Sequence, residues 1–567
     1  MLSRIQVLPE DLINKIAAGE VIERPASVAK ELIENSIDAA ATRISVEVQD
    51  SGRKLIRVSD NGSGMGKEEL SLAIQRHSTS KINCLDDLFN IQTLGFRGEA
   101  LPSIASVSKM ELRSCQNGGG RGNQLKVEGG KLVSLEEAGC PTGTSVIIKD
   151  LFFNTPARKK FLKSPATEMG HIGDIVSKYA LANPQIAFEL VSDGKPLLSS
   201  PGTGKLKDAV LAVYGIDLLK GLIELTSEGD TRIRGLISRP TLTRIDKTYE
   251  NIYVNGRYVR NFLLSRALEE AYRTLIPNNR YPVAVLFLNI DPKQIDVNVH
   301  PAKREIKFLK TQEVMEAVRD CVAKALQNVQ CPTSNVESAK DLGLAKEWKP
   351  EMADALFDVQ GPRSNVVIQD AAFEVTAVQP LFSIYQHKDT YIICTDGEDL
   401  VLIDQHAAHE RVIYNQLNCP TSNVQSRQPL LIPETIELNP KESIILQENI
   451  DYLRNLGFDL EEFGNNSYIL RSVPAVAAKS SAKQLLIDII SELQNAEKSA
   501  QLEIKQETIR KLIACHSAIK SGDKLSNQEM NQLIKDLYAS ENPLTCPHGR
   551  PTMLRITEEE LKKHFAR

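Results

Sequence analysis

From Cys331 to about Ala372 the sequence loses any sustained apolar period, and scattered Pro, Ser and Asn replace the alternating and helical spacings found on either side. A stretch of that composition offers nothing to bury, so it reads as a linker and splits the 567-residue chain in two. Residues 1–330 carry 44 Lys and Arg against 39 Asp and Glu, a net of +5, whereas residues 331–567 carry 24 against 34, a net of -10. The total of -5 therefore conceals a basic part, and any nucleic-acid surface has to be local and lie there. The length implies roughly three to five folding units, at about 100–200 residues each. A content of 42% hydrophobic and 25% charged residues is that of packed globular protein and excludes a disordered or collagenous chain.

Apolar runs such as Val283–Leu288 fall far short of the ~18 residues a membrane span needs. Met1 to Glu10 lacks the apolar region and cleavage site of a secretory signal. The expectation is a cytoplasmic protein with no membrane partner. Nine cysteines, odd in number and without tight spacing, predict free thiols rather than a disulfide framework.

Local patterns give an α+β chain. Leu12–Ala39 has helical texture, Lys54–Ser59 reads as a strand, and Leu125–Leu151 alternates like paired strands around Gly129-Gly130 and Pro141-Thr-Gly143. Thr231–Ser238, Asn251–Val254 and Val283–Ile290 read as strands around a helix at Asn261–Ile276. Tyr391–Thr395 and Leu400–Ile403 read as strands leading into a helix from about His406. The boundaries expected are 1–205, 206–330, a linker over 331–374, and 375–567 with an inserted subdomain at 426–505.

Glu31, Asn35 and Asp38 fall at i, i+4 and i+7 of the helix that follows Ser27, so they share one face. A strand then ends in Asp60-Asn-Gly62-Ser-Gly64, where glycines permit close backbone approach to a ligand. Leu94-Gly95-Phe-Arg97-Gly98-Glu99 follows, a glycine-flanked loop before a helical segment, the layout in which backbone N–H groups hold phosphate. Each motif alone is an ordinary turn or solvated face; their order within about 70 residues is what points to nucleotide. Gly202-Thr-Gly204-Lys205 is not a P-loop, because Ser199 stands where that motif needs glycine.

Together these motifs resemble the GHKL ATPases, the class of gyrase, the Hsp90 chaperone, histidine kinases and MutL. The blocks Ile16–Val28, Arg76–Lys81, Gly95–Leu101, Phe153–Lys159 and Asn298–Lys303 are similar to the MutL mismatch-repair family in particular. The resemblance implies a Bergerat-type (GHKL) ATPase sandwich, a second, ribosomal S5-like α/β transducer domain, a linker and a separate α+β C-terminal dimerisation and metal domain. It also implies ATP and Mg²⁺ as cofactors. By it, Glu31 is the general base on the attacking water, Asn35 coordinates Mg²⁺, and Asp60 accepts from the adenine amine. Gly64 then lets the base approach, and Thr144 closes the pocket. Arg76–Lys81 and the loop of Gly95, Arg97 and Gly98 form the lid over the phosphates, and Lys303 reaches the γ-phosphate from the second domain. The basic clusters Arg158-Lys159 and Arg257/Arg260 are the expected DNA contacts, phosphate-directed and salt-sensitive.

Six of the nine histidines lie beyond residue 380, near acids and cysteines. His406 and Glu410 are at i, i+4 on a helix, Cys515 sits on another, and Cys546 and His548 flank Pro547 in a turn. Such a mixture favours Zn²⁺ or Mn²⁺ over Ca²⁺. These segments, with Asp404 as a catalytic residue, resemble the C-terminal motifs of nuclease-type MutL, which implies single-strand nicking through a metal-activated water. The sequence departs from that pattern at Asn415, where the family usually has a second glutamate. Gln428, Leu431 and Pro433 resemble the short peptide that docks on the replication sliding clamp. The partners implied are a second copy of the chain, DNA, the mismatch-recognition protein MutS and the clamp. The alternative is a nuclease-inactive ATPase matchmaker whose C-terminal metals are structural. A chaperone or topoisomerase subunit fits less well, since nothing resembles a topoisomerase cleavage domain.

Overall fold

The computed structural model describes residues 22–81, 93–95, 98–116, 120–277, 279–296, 306–330, 381–418, 427–464, 466–478, 480–496 and 502–565. Residues 1–21, Arg97, the block containing Lys303, and the linker lie outside them.

The first unit runs through helix α1 (Pro25–Asp38), strands β1 (Arg43–Gln49) and β2 (Leu55–Asp60), and short helices α2 (Lys67–Ala73) and α3 (Ala100–Ser106). Strands β3 (Lys109–Cys115), β4 (Gly122–Glu128), β5 (Lys131–Ala138) and β6 (Gly143–Lys149) come next. Helices α4 (Pro156–Phe161) and α5 (Pro165–Ala182), strands β7 (Ala187–Ser192) and β8 (Lys195–Pro201), and helix α6 (Leu206–Lys220) complete it. The sheet order is β5-β4-β3-β6-β2-β1-β7-β8, with β1 and β7 parallel and the other neighbours antiparallel. Pro25 at the first turn of α1 fits a position whose N–H would be unpaired anyway. Val28, Leu32 and Ile33 go into the core, which leaves Glu31 and Asn35 facing away from it and half-buried. Each such aliphatic side chain stabilises by about 1.5–3 kcal/mol on burial, so the apolar stripe decides how α1 lies and thereby where Glu31 points.

In the second unit β9 (Leu222–Ser227), β10 (Arg232–Ser238), β11 (Glu250–Val254), β12 (Arg257–Val259), helix α7 (Phe262–Tyr272), β13 (Ala284–Asn289) and helix α8 (Thr311–Gln330) form a five-stranded sheet, order β12-β11-β13-β10-β9, with its helices. Along β13, Ala284, Leu286 and Leu288 enter this unit's own core, while Val285 and Phe287 enter the core of the first unit. The same two-residue alternation sends Tyr253 one way and Ile252 and Val254 the other on β11. Helix α6 also buries Val210, Val213 and Leu218 in the first core, where Tyr253, Val285 and Phe287 of the second unit arrive.

Beyond the linker, β14 (Phe382–His387), β15 (Tyr391–Thr395) and β16 (Leu400–Asp404) lead into α9 (Gln405–Asn418). The segment β17 (Arg427–Glu437), α10 (Pro440–Asn455), β18 (Asp459–Glu462), β19 (Ser467–Pro474) and α11 (Ala482–Ala496) builds a separate core that extends into α12 (Leu502–Ser517) through Ile509 and Ile513. Helix α13 (Asn527–Tyr538), strand β20 (Met553–Ile556) and α14 (Glu558–His564) return to the first sheet, whose order is β14-β15-β16-β20. No helix among the described residues is long and apolar enough to cross a membrane.

Candidate functional site

Two clusters stand out, one in each half. In the first, Asp60 ends β2 between Ile44 and Thr144 on the flanking strands, directly beneath α1. Its Oδ2 accepts from the Ser36 hydroxyl of α1 at 2.8 Å, and its Oδ1 accepts from the Gly62 amide at 2.9 Å and the Thr144 amide at 3.2 Å. Burial raises its pKa, against the opposing pull of those hydrogen bonds. The Thr144 hydroxyl meets that of Ser114 at 2.8 Å, and Ser114 also accepts from the Met65 amide, so the floor of the site is tied to the glycine turn. Gly64 has φ +68°, and a Cβ there would stand 2.1 Å from the Cys115 carbonyl oxygen.

That geometry makes a prediction. Gly64→Ala puts an L side chain in the left-handed region and against backbone, costing more than about 2 kcal/mol. The expected result is a melting transition several degrees below the parent's, read by circular dichroism; a superimposable transition would remove the requirement for glycine.

Across the site, Lys81 Nζ lies 2.6 Å from Asp38 Oδ2 and 3.0 Å from Asn35 Oδ1. Asp38 also accepts from the Leu94 and Gly95 amides, at 3.0 and 3.1 Å, which fixes the start of the glycine loop against α1. Gly98 has φ +62° and packs on the backbone of Ser78, so the two segments expected to form a lid touch. Glu31 Oε1 is 2.9 Å from Lys30 Nζ, and Lys30 also reaches Glu34, which accepts from Tyr179 of α5. Asn35 thus turns a carbonyl oxygen toward positive charge, the donor a hard cation such as Mg²⁺ takes.

In the second half, Asp404 caps α9: its Oδ1 accepts from the His406 and Ala407 amides at 2.9 and 3.0 Å. One turn on, Glu410 is 2% exposed and belongs to two groups at once, with His406 and Cys515 on one side and Cys546 and His548 on the other. Within each group the ligand atoms lie within 4.8 Å of one another. Glu410 Oε1 is 3.3 Å from His406 Nε2, and Oε2 is 3.4 Å from His548 Nδ1. Burial opposes ionisation of Glu410, but hydrogen bonds from His406, His548 and Cys515 more than offset it and hold the carboxyl far below its usual range. Hydrogen bonds to Cys515 and then Glu410 raise His406 to about 10. Two imidazoles, two thiols and one central carboxylate fit Zn²⁺ or Mn²⁺ by donor chemistry. His406 Nδ1 lies 2.8 Å from the Ile519 carbonyl, which orients the ring and leaves Nε2 toward Glu410. Arg411 donates to the Thr545 carbonyl and thereby anchors the turn bearing Cys546 and His548.

Residues 23–131 match the family described as histidine kinase-, DNA gyrase B- and HSP90-like ATPase. Residues 210–327 match DNA mismatch repair protein, C-terminal domain, and residues 384–525 match MutL C terminal dimerisation domain. The chain is 39% identical to the DNA mismatch repair protein MutL of Thermoanaerobacter pseudethanolicus and 40% identical to that of Methanothrix thermoacetophila, each alignment covering 100% of both chains. The chain belongs to the MutL family of DNA mismatch-repair proteins.

The N-terminal half also has a relative of known structure: the crystal structure of an N-terminal domain of a DNA repair protein superposes with a TM-score of 0.50 at 27% identity, covering 56% of this chain and 98% of that one. The first unit is therefore a GHKL ATPase domain, and the part beyond the linker contains a MutL dimerisation domain. Of the nucleotide-site residues expected from MutL motifs, Asn35, Lys81 and Gly95 meet at Asp38 of α1, Asp60 and Thr144 are hydrogen-bonded to one another beside Ser36 of the same helix, Glu31 lies one turn before Asn35, and Gly64 and Gly98 pack on Cys115 and Ser78. Ser36 and Ser114 join them without having been singled out, and Asp38, noted in the sequence only for sharing the helical face of Glu31 and Asn35, turns out to hold both Lys81 and the glycine loop. The expected metal residues His406, Glu410, Cys515, Cys546 and His548 all converge.

Arg257 is a correction. Expected on a DNA-binding surface, it is only 9% exposed and its guanidinium donates to the Thr93 carbonyl beside the glycine loop. Burial lowers its pKa, partly offset by Glu34 and Asp38, so the cation is spent inside the fold between the two units of the first half. Arg260 and Lys159 are exposed and Arg158 is half-buried, where Nη1 donates to the Ile22 carbonyl at 3.3 Å.

Proposed function

We propose that the chain is an ATP-driven clamp that couples mismatch recognition to strand removal and nicks one DNA strand with its C-terminal metal site. The observation that carries the nicking is the buried Glu410, shared between two groups of nitrogen and sulfur donors. A carboxylate with one oxygen toward each group suits two ions held close together on a phosphodiester, with metal-bound water as the nucleophile. When bound, the ions would be held by His406, Cys515, Glu410, Cys546 and His548, with Asp404 at the start of α9 as the catalytic carboxylate beside them. Nicking of supercoiled plasmid in Mn²⁺, abolished by a chelator, is the test; purified protein that leaves plasmid supercoiled in every divalent metal sinks it.

At the other site ATP and Mg²⁺ are the proposed ligands, with Asp60 and Thr144 at the adenine, Asn35 at Mg²⁺ and Glu31 as general base. Lys81, Gly95, Arg97 and Gly98 would surround the phosphates, and Lys303 would contact the γ-phosphate, as MutL motifs imply. Dimerisation would use the outer face of the sheet β14-β15-β16-β20. Tyr385, Ile393, Leu402 and Leu554 lie in one cross-strand row there, whereas Ile392, Val401 and Ile403 face inward. Exposed Phe382 and Ile384 extend that apolar face, and a contiguous exposed apolar patch marks an interaction surface. DNA phosphates would meet Arg158, Lys159 and Arg260, MutS would be the upstream partner, and cytoplasm the compartment.

The sliding-clamp reading rests on a bulge. Pro429 pairs with Ser472 and Glu434 with Leu470, so Leu430–Pro433 oppose a single residue; Leu430 packs on the core while Leu431 and Ile432 are exposed. Leu431 is 99% exposed. Leu431→Ala is expected to weaken sliding-clamp retention in a pull-down about tenfold or more while ATP turnover holds; equal retention would leave the bulge without this partner.

One observation favours the nuclease-inactive alternative. Asn415, in place of the family's second glutamate, accepts from the Glu541 amide at 3.4 Å and brings no carboxylate to the site.

A further inference from the structure

Helix α5 carries two glycines, Gly170 and Gly173, three residues apart in the interior of an 18-residue helix. Glycine there costs about 1 kcal/mol relative to alanine, and nothing in the ATPase unit fills the space above them. What lies there is the start of α10: a Cβ on Gly173 would come 3.2 Å from Pro440 Cβ, and one on Gly170 would come 3.2 Å from Lys441 Cγ. Ile444, one turn further along α10, packs on the first unit's core.

Polar contacts surround this seat. Tyr249 donates to Glu442, which is 2% exposed, and the Asn439 side chain donates to the same Tyr249 oxygen at 3.1 Å. Asn466 donates to the Leu197 carbonyl at 2.6 Å, and Lys483 pairs with Asp217. The strongest contact is bidentate: Arg280 donates to both oxygens of Asp488, at 2.9 and 2.6 Å. Asp488 is 0% exposed and is also 3.0 Å from His516 Nε2. A fully buried carboxylate on the insert is thus matched by an arginine of the transducer, and breaking such a pair costs about 3–5 kcal/mol.

We propose that the outer face of α5 and the neighbouring transducer edge form a docking surface for the chain's own inserted segment, residues 427–496, latched by Arg280 on Asp488. The metal-bearing half is then seated on the back of the ATPase half rather than joined to it by the linker alone. The opposite charges of the two halves, +5 and -10, favour the contact. The 50 residues from Cys331 to Pro380 have a maximal reach of roughly 170 Å, so one chain can make it within itself.

The test uses the full-length protein and a carbodiimide, which condenses a carboxylate with an amine only where they already touch. It should activate Asp217 and let the Lys483 amine displace the urea, leaving an amide that mass spectrometry reads within a single chain. Arg280→Glu should lower the yield of that product more than about tenfold. Gly173→Gln should do the same while raising or preserving the melting temperature, because it improves the helix and blocks only the seat. Absence of the product in the parent, unchanged yield in both variants, or a product found only between two chains would each overturn the proposal.

Discussion

Glu31→Ala binds ATP with little change and turns it over at least about a hundredfold more slowly, the loss expected when a positioned general base is removed. The nucleotide would be held from its other end, where Asp60 is fixed by Ser36, Gly62 and Thr144, none of which touches Glu31. Lys30 retains Glu34 at 3.0 Å as a partner, so the substitution strands no charge and the helix keeps its buried stripe. Steady-state phosphate release measured beside equilibrium nucleotide binding separates the two effects. Parent-like turnover would remove Glu31 from the chemistry, whereas loss of binding would move its role to the ground state.

At the other end of the chain, Glu410→Gln should depress Mn²⁺-supported nicking by at least about a hundredfold, since losing even an outer partner of a metal ligand costs 10–100-fold. Glutamine keeps the shape of the side chain in its buried position but removes the charge that both donor groups share. Asp404→Asn is the companion variant. Asparagine caps a helix as well as aspartate does, so α9 stays in place and only the carboxylate is lost. Plasmid nicking and bound metal are measured together, with ATP turnover as the control for folding. If both variants nick as the parent does, the nuclease reading fails and the inactive matchmaker remains.

The site residues were legible where periodicity or a glycine did the pointing. Glu31, Asn35 and Asp38 share a face because 3.6 residues make a turn, and Gly64 lies where backbone has to pass close to Cys115. His406 and Glu410 were readable for the same helical reason, and convergence with Cys515 and Cys546 required only the motifs. Partners distant in sequence were not legible where no motif joined them. Arg257 looked like any surface arginine in a basic cluster, because charge patterning says nothing about which cations a second domain will cover. Glycines 170 and 173 gave no sign of α10, since the residues that fill them come from beyond the linker. The expected split at residue 206 falls just before α6, whose apolar side chains pack in the core that the first unit shares with Tyr253, Val285 and Phe287 of the second; hydrophobic spacing does not say which sheet a helix will choose. Likewise the inserted core runs past residue 505 through Ile513, two residues before Cys515.

Strand β13 bears on how the ATPase half can respond to a nucleotide. Because successive side chains of one strand are committed to two different cores, sliding it by a single residue would turn Val285 and Phe287 into the wrong one, and every neighbour would follow. The sheet therefore behaves as a rivet through both units and resists shear between them. Were nucleotide to be turned over beside α1, such a joint would leave the segments tied to Asp38, namely Lys81 and the Leu94–Gly95 amides, as the contacts able to change while the two cores stay in register.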